Sequence, residues 1–359
     1  MIILTILHII DVMDTQSNGV AIAVKNYVEY ESRFENAAMF CLNSKPKTSS
    51  KLYSYKDYKT IEELPEPFNK PDLVVFNEVY KPKYIRLYKE CLKRNIKYII
   101  IPHGCLVKGA QKKHHFKKIA GNILLFNRFI RNANGVQFLN ESEKKNTHFH
   151  IKKDIIAGNG ITPSAYRNNN DGDNKDLVYI GRYEVKHKGL DLLVKVCAEN
   201  KKWFQTNDIK IQLYGRDNKE EIIRLNELVA CHNVKDIIII NKPVYGIEKE
   251  RILKKAYAFI QCSRYEGQPM GIIEALSAGV PCVVTYGTYL GEYIRDNKCG
   301  IACHFDAKEV FEAISKMTDD NQTRNLFAKN SYVKSNKDFE WNAVVLKTIE
   351  KYKKLIKGD

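Results

Sequence analysis

Short, continuously apolar runs recur along the chain, separated by stretches whose apolar residues return every three or four positions. Runs at Ile2–Leu7, Asp72–Phe76, Lys97–Ile101, Val136–Leu139 and Asp154–Ala157 read as strands. A second series reads the same way at Leu177–Ile180, Ile209–Tyr214, Ile237–Ile240, Ala258–Cys262 and Pro281–Thr285. Helical spacing lies between them at Ala21–Tyr30, Leu190–Asn200, Glu220–Ala230 and Lys249–Ala256. Strands without polar alternation are covered on both faces, so this succession predicts parallel sheets flanked by helices.

The two series part at Gly158–Asp176, GNGITPSAYRNNNDGDNKD, which is rich in Gly, Asn and Asp, lacks periodicity and reads as a linker. Its Asp171-Gly172-Asp173 reads as a polar turn, because no apolar strand holds the carboxylates rigid for a metal. The end of the chain, Asp338–Lys357, has a helical pattern with Trp341, Val344, Val345, Ile349 and Ile356 as candidate buried positions. The expected division is an N-terminal domain over 1–165, a C-terminal domain over 166–335 and a final helix over 336–359. A chain of 359 residues accommodates two domains of ordinary size.

Composition changes this picture little. The apolar start lacks a basic leader and a small-residue cleavage site, and Asp11 and Asp14 follow at once, so it reads as a first strand. No apolar run reaches the length of a membrane span. These features suggest a cytoplasmic protein. The nine cysteines are scattered; Cys197, Cys262 and Cys282 sit inside apolar runs as buried thiols, and the spacing of Cys299 and Cys303 does not suit zinc.

The net charge of +16 is uneven: residues 1–175 carry a surplus of 11 positive charges and residues 176–359 a surplus of 5. Between Cys91 and Asn140 there is no acidic residue, while Lys93, Arg94, Lys97, Lys108, Lys112, Lys113, Lys117, Lys118, Arg128 and Arg131 are all basic. Such a field attracts polyanions or forms a solvated basic face. Interleaved with these cations are Phe116, Ile119, Ile123, Leu124, Leu125, Phe126, Phe129 and Ile130. Two readings stay open: residues 91–140 rest on an anionic membrane, or the apolar residues fill the N-terminal core.

Ligands of open parallel sheets bind beyond the carboxyl ends of strands. After Leu177–Ile180 comes Gly181-Arg182-Tyr183-Glu184-Val185-Lys186-His187-Lys188-Gly189, where glycines bracket cations ahead of a helix start, a setting that favours an anion. After Ala258–Cys262 comes Ser263-Arg264-Tyr265-Glu266-Gly267-Gln268-Pro269-Met270-Gly271, with Glu274 near the first turn of the next helix. Two carboxylates in one crevice would suit a polyhydroxyl ligand, since each accepts several hydroxyl hydrogen bonds.

This second segment resembles the Glu-x7-Glu signature of retaining glycosyltransferases of family 4. Further matching pieces follow in the family's order: Asn18-Gly19, Pro102-His103-Gly104, Asn159-Gly160-Ile161, Gly181-Arg182 with Lys188-Gly189, Leu213-Tyr214-Gly215, and Glu292 with Gly300. The resemblance implies the GT-B fold, an α/β architecture of two Rossmann-like domains facing a cleft, with the last helix crossing back to the first domain. It implies that Arg182 and Lys188 bind the donor diphosphate in place of a metal, and that Glu266 holds hydroxyls of the donor sugar. Gly267, Gln268, Pro269, Met270 and Gly271 would lie beside that sugar and Glu274 would hold the ribose. Gly19 would admit the diphosphate, and His103 would face the sugar, with a strand-end cap as its plainer role. Many relatives have Phe-Gly where this chain has Gln268-Pro269.

The implied reaction is hexosyl transfer from a nucleotide-diphosphate sugar to a saccharide or lipid-linked saccharide, in surface polysaccharide assembly. No cofactor beyond that co-substrate and no metal is expected. An epimerase of the same fold is the alternative within enzymes. Nucleic-acid binding is the alternative outside them, and a carboxylate crevice would repel phosphates.

Overall fold

The computed structural model describes residues 3–12, 19–43, 51–107, 111, 125–164, 174–216 and 219–358. The chain forms two compact units, one of Met1–Gly160 with Trp341–Asp359, the other of Ile161–Glu340.

The first unit runs β1 (Thr5–Ile10), α1 (Gly19–Glu31), β2 (Asn36–Cys41), β3 (Leu52–Ser54), β4 (Leu73–Asn77), α2 (Pro82–Lys93), β5 (Lys97–Ile101), α3 (Asn127–Asn132), β6 (Gly135–Phe138), α4 (Glu141–Lys145) and β7 (Asp154–Ile156). The second runs β8 (Leu177–Ile180), α5 (Leu190–Glu199), α6 (Lys201–Thr206), β9 (Ile211–Tyr214), α7 (Lys219–Cys231), β10 (Ile238–Asn241), α8 (Gly246–Lys255), β11 (Ala258–Gln261), α9 (Met270–Ser277), β12 (Cys282–Thr285), α10 (Gly291–Asp296), β13 (Gly300–Cys303), α11 (Ala307–Asp319) and α12 (Asn321–Asp338). The last helix, α13 (Trp341–Lys357), belongs to the first unit.

All described strand pairs are parallel, in a sheet of order β3-β2-β1-β4-β5-β6-β7 and another of order β10-β9-β8-β11-β12-β13. Both are doubly wound, and the winding reverses between β1 and β4 in one and between β8 and β11 in the other. At each reversal the two following loops leave in opposite directions and open a crevice at the strand tips.

Helices seal the faces. In the second unit one face is filled by Leu193, Val196, Phe204, Leu225 and Ile314, the other by Ile272, Ile273, Leu276 and Ile294. In the first unit α13 lays Trp341, Val345, Ile349, Tyr352 and Leu355 over Ile6, Val75, Ile99 and Ile101.

Several sequence expectations shift. The first strand covers Thr5–Ile10 rather than Ile2–Leu7, because its ladder with β2 begins at Thr5 and Ile3 is exposed. Three strands fall outside the sequence expectations: β3 and β13 are short, and β2 is an apolar run that begins with two alanines, weak strand formers. The expected linker is partly packed: Asn159 and Ile161 are buried, and Gly160 lies so close to Trp341 that a Cβ would reach its ring at 2.5 Å. Residues 165–173, with the Asp171–Asp173 turn, lie outside the described residues. Cys197, Cys262, Cys282, Cys299 and Cys303 are buried free thiols.

Candidate active site

The loops after β8 and β11, neighbours at the winding reversal of the second unit, meet in one hydrogen-bonded junction. Gly189 makes this approach feasible: it adopts φ 67°, and a Cβ there would run into the carbonyl of Cys262 at the tip of β11. The turn before it is closed by Lys188 N–H to the Glu184 carbonyl at 2.8 Å and Leu190 N–H to the Val185 carbonyl at 2.9 Å.

From this turn the Lys188 side chain reaches Glu266, with Nζ 2.5 Å from Oε1. Both residues are buried. The same oxygen accepts from Gln261 Nε2 at 2.8 Å and Ser263 Oγ at 2.7 Å. Three donors on Oε1 fix the carboxylate's orientation, and none of them engages Oε2. Charge neutralisation by Lys188 makes the burial of Glu266 tolerable.

A second set of contacts joins the loops on the same side. The His187 ring stacks on Tyr265 at 4.2 Å and 21°. Its Nδ1 lies 2.7 Å from Glu184 Oε2 and its Nε2 2.8 Å from the Tyr265 carbonyl. His187 foremost, with Arg182 and Lys188 behind it, holds the Glu184 carboxyl down to about 2. Arg264 clamps Asp191 with two 2.8 Å bonds and lies over the Phe305 ring.

Arg182 stands apart from Glu266. It pairs with Glu184 at 3.1 Å, and 62% of its side chain is exposed. Gly267, Gln268 and Pro269 lead from Glu266 into α9, which starts at Met270 without a side-chain cap. A Cβ on Gly271 would lie 2.8 Å from the Ile180 carbonyl, so the start of α9 abuts the end of β8. The positive end of the α9 dipole therefore lies beside the tip of β8.

Glu274 occupies a different place. It pairs with Lys249 of α8 at 2.8 Å and lines a groove of about 330 Å³ with Gly246, Glu250, Ser277 and Ile161–Ser164. Glu266 is not among the residues lining that groove. Of the four charged residues expected to meet, Glu266 and Lys188 are in contact, while Arg182 and Glu274 each have other partners.

In the first unit, Gly19 opens α1 and a Cβ there would meet nothing within 4 Å; Asn18 lies outside the described residues. His103 follows β5 with φ 50°, its ring half-buried and its Nε2 3.1 Å from Asn77 Oδ1. Burial drives its pKa down to about 3. The next amide, Gly104 N–H, donates to the buried Glu143 at 2.6 Å.

In the basic segment, Phe126, Phe129 and Ile130 are core residues, which removes them from any membrane face; Leu125 is exposed, and residues 108–110 and 112–124 lie outside the described residues. No helix among the described residues is long and apolar enough to cross a membrane.

Sequence reading assigned no roles to Gln261, Ser263, His187 and Lys249. Gln261 and Ser263 were discoverable, since alternate residues at a strand tip share a side with the residue that follows. Lys249 gave no local signal, being 25 positions from Glu274.

Residues 164–334 match the family model described as Glycosyl transferases group 1, so the second unit carries a domain of that group. A similar curated protein is D-inositol 3-phosphate glycosyltransferase of Paenarthrobacter aurescens, 22% identical over 187 residues, covering 52% of this chain and 45% of that protein. The aligned part thus spans less than half of that relative's length. Among solved structures, HepE of Anabaena in complex with UDP and glucose superimposes with a TM-score of 0.73 at 11% identity, covering 98% of this chain and 99% of that one. Sucrose-phosphate synthase of Thermosynechococcus elongatus gives 0.75 at 16% identity, covering 99% and 100%. At such identities the likeness carries the fold, which is GT-B.

Proposed function

We propose that this protein is a retaining hexosyltransferase that moves a sugar from a nucleoside-diphosphate donor to a saccharide or lipid-linked saccharide. The observation that carries the reading is the buried Lys188–Glu266 pair at the winding reversal of a domain matching group 1 glycosyltransferases. Glu266 Oε2, left outside the three bonds to Oε1, accepts from hydroxyls of the donor sugar. Gly267 to Gly271 lie beside that sugar, and Glu274 in its groove holds the ribose.

When the bond from the anomeric carbon to the diphosphate breaks, negative charge grows on the leaving group. Lys188 and the exposed Arg182 stabilise that charge, and the start of α9 adds its dipole. One cation ~4 Å from a unit charge is worth about 4 kcal/mol at an effective dielectric of ~20. Cationic side chains take the part of a metal here, so chelation by EDTA should leave transfer unchanged. In the first unit, Gly19 is read as a phosphate contact and His103 as a contact to a sugar hydroxyl.

The acceptor belongs to surface polysaccharide assembly, and the basic stretch within 91–140 provides peripheral attachment to the inner face of the cytoplasmic membrane. Purified protein should then sediment with anionic vesicles and come off in high salt; equal indifference to neutral and anionic vesicles would remove the attachment.

The deciding experiment is thermal unfolding against a panel of nucleoside diphosphates and their sugars, with UDP first. A ligand at a hundred times its Kd adds about 2.7 kcal/mol of stability. Selective stabilisation by one base supports the proposal, and a flat panel sinks it. Arg182→Ala should reduce turnover by about two to three powers of ten. Unchanged turnover with weaker donor binding would confine Arg182 to adhesion.

A further inference from the structure

Four polar side chains of the first unit form a hydrogen-bonded chain that ends on His103. Glu31 closes α1, His8 lies within β1, Asn77 is the last residue of β4, and His103 follows β5. Glu31, His8 and Asn77 are fully buried. Glu31 Oε2 lies 2.8 Å from His8 Nε2, His8 Nδ1 lies 3.5 Å from Asn77 Nδ2, and Asn77 Oδ1 lies 3.1 Å from His103 Nε2. One oxygen of Glu31, Oε1, is buried without a partner. A sheet core gains nothing from such a group, whose desolvation is costly.

The direction of each hydrogen follows from atoms that can only accept. Asn77 Nδ2 faces the carbonyls of Ile9 at 3.2 Å and Val75 at 3.3 Å. Only the amide nitrogen can donate to them, so the amide cannot be turned over and Oδ1 must face His103. An acceptor at that position requires the His103 proton on Nε2. The same amide nitrogen faces His8 Nδ1, leaving that atom the acceptor, so His8 carries its proton on Nε2 and donates to Glu31. Every donor points towards Glu31. At the other end, His103 Nδ1 has no hydrogen-bond partner among the described residues and is not sealed from solvent.

We infer that Glu31, His8 and Asn77 act as positioning residues that lock His103 in the Nε2–H tautomer, so that Nδ1 is presented as a hydrogen-bond acceptor to a hydroxyl of the bound sugar. The inference rests on the reading of His103 as a sugar contact. It also excludes a role that the residue type alone allows: a neutral imidazole offering a lone pair repels phosphate oxygens and cannot serve the diphosphate. The carboxylate of Glu143, which anchors the Gly104 amide, keeps the His103 turn in place.

The test is long-range proton–nitrogen correlation on the full chain labelled with nitrogen-15 histidine, the His103 signals being assigned by their loss in His103→Gln. At about pH 7 a single neutral form protonated on Nε2 is expected; an Nδ1–H form, an imidazolium or an even mixture would overturn the inference. Asn77→Ala should convert His103 to a mixture of tautomers and lower kcat/KM on the order of tenfold, the equivalent of one lost hydrogen bond. An unaltered His103 signature in that variant would also overturn the inference. Should Asn77→Ala not fold, the wild-type spectrum still decides. An Nε2–H signature beside a fully active His103→Gln would overturn the sugar contact while the tautomer stands. A wrong tautomer beside an inactive His103→Gln would overturn the positioning chain and leave the proposed activity intact.

Discussion

Lys188 and Glu266 are each too buried to stand alone, which separates their structural part from their chemical one. Lys188→Met strands a buried carboxylate with two neutral donors, and unfolding in urea should show a loss of about 3–5 kcal/mol. Adding Glu266→Leu should restore much of that loss without restoring transfer; a double variant as unstable as the single one would mean that the pair is not the unit described. Glu184 offers a pH test. Its folded value of about 2 lies below the ordinary 4.5, so its contribution is complete above about pH 4.5 and drains away as pH falls towards 2. Glu184→Gln should flatten the acid limb of the stability curve in that window. The neutral His103 has the same sign in another window, stability falling from about pH 6.5 towards its value of about 3, and His103→Gln should remove that part. At this scale the sequence displayed Glu266 and Lys188 because each follows a strand. It hid Lys249 and the Asn77–His8–Glu31 chain, whose contacts span long intervals of sequence.

Elements place these residues through a few tight approaches. A methyl group at Gly189 meets the Cys262 carbonyl and an unfavourable backbone angle together, so Gly189→Ala should disorder the Lys188 turn and abolish nucleotide stabilisation. Gly19 is the contrast. Its Cβ would enter open space, so Gly19→Ala should leave unfolding unchanged while weakening donor binding; equal affinity would free Gly19 of any ligand role. Most strands were visible as apolar runs, since strands buried on both faces cannot afford polar alternation. Those missed are short or alanine-containing, as in Asn36–Cys41 and Gly300–Cys303, and depend on ladder partners for their existence. The end of the chain read as one helix from Asp338, whereas α12 ends there and α13 begins at Trp341.

For the molecule as a whole, the first unit is assembled from both ends of the chain. The buried residues of α13 include Trp341, Val345, Ile349, Tyr352 and Leu355, each worth about 1.5–3 kcal/mol. Their sum rivals the whole stability of a domain, about 5–15 kcal/mol. Deleting 341–359 should therefore unfold the first unit, while the second retains a cooperative transition and its response to nucleotide; loss of both transitions would show that the units are not separable. The same arrangement sets an order of events on the ribosome. The strands β1 to β7 emerge early, yet the sheet face that receives α13 stays uncovered until the entire second unit has been translated. At ~5–20 residues per second that delay is on the order of ten to forty seconds, a period in which an apolar sheet face is exposed on the nascent chain before α13 exists to cover it.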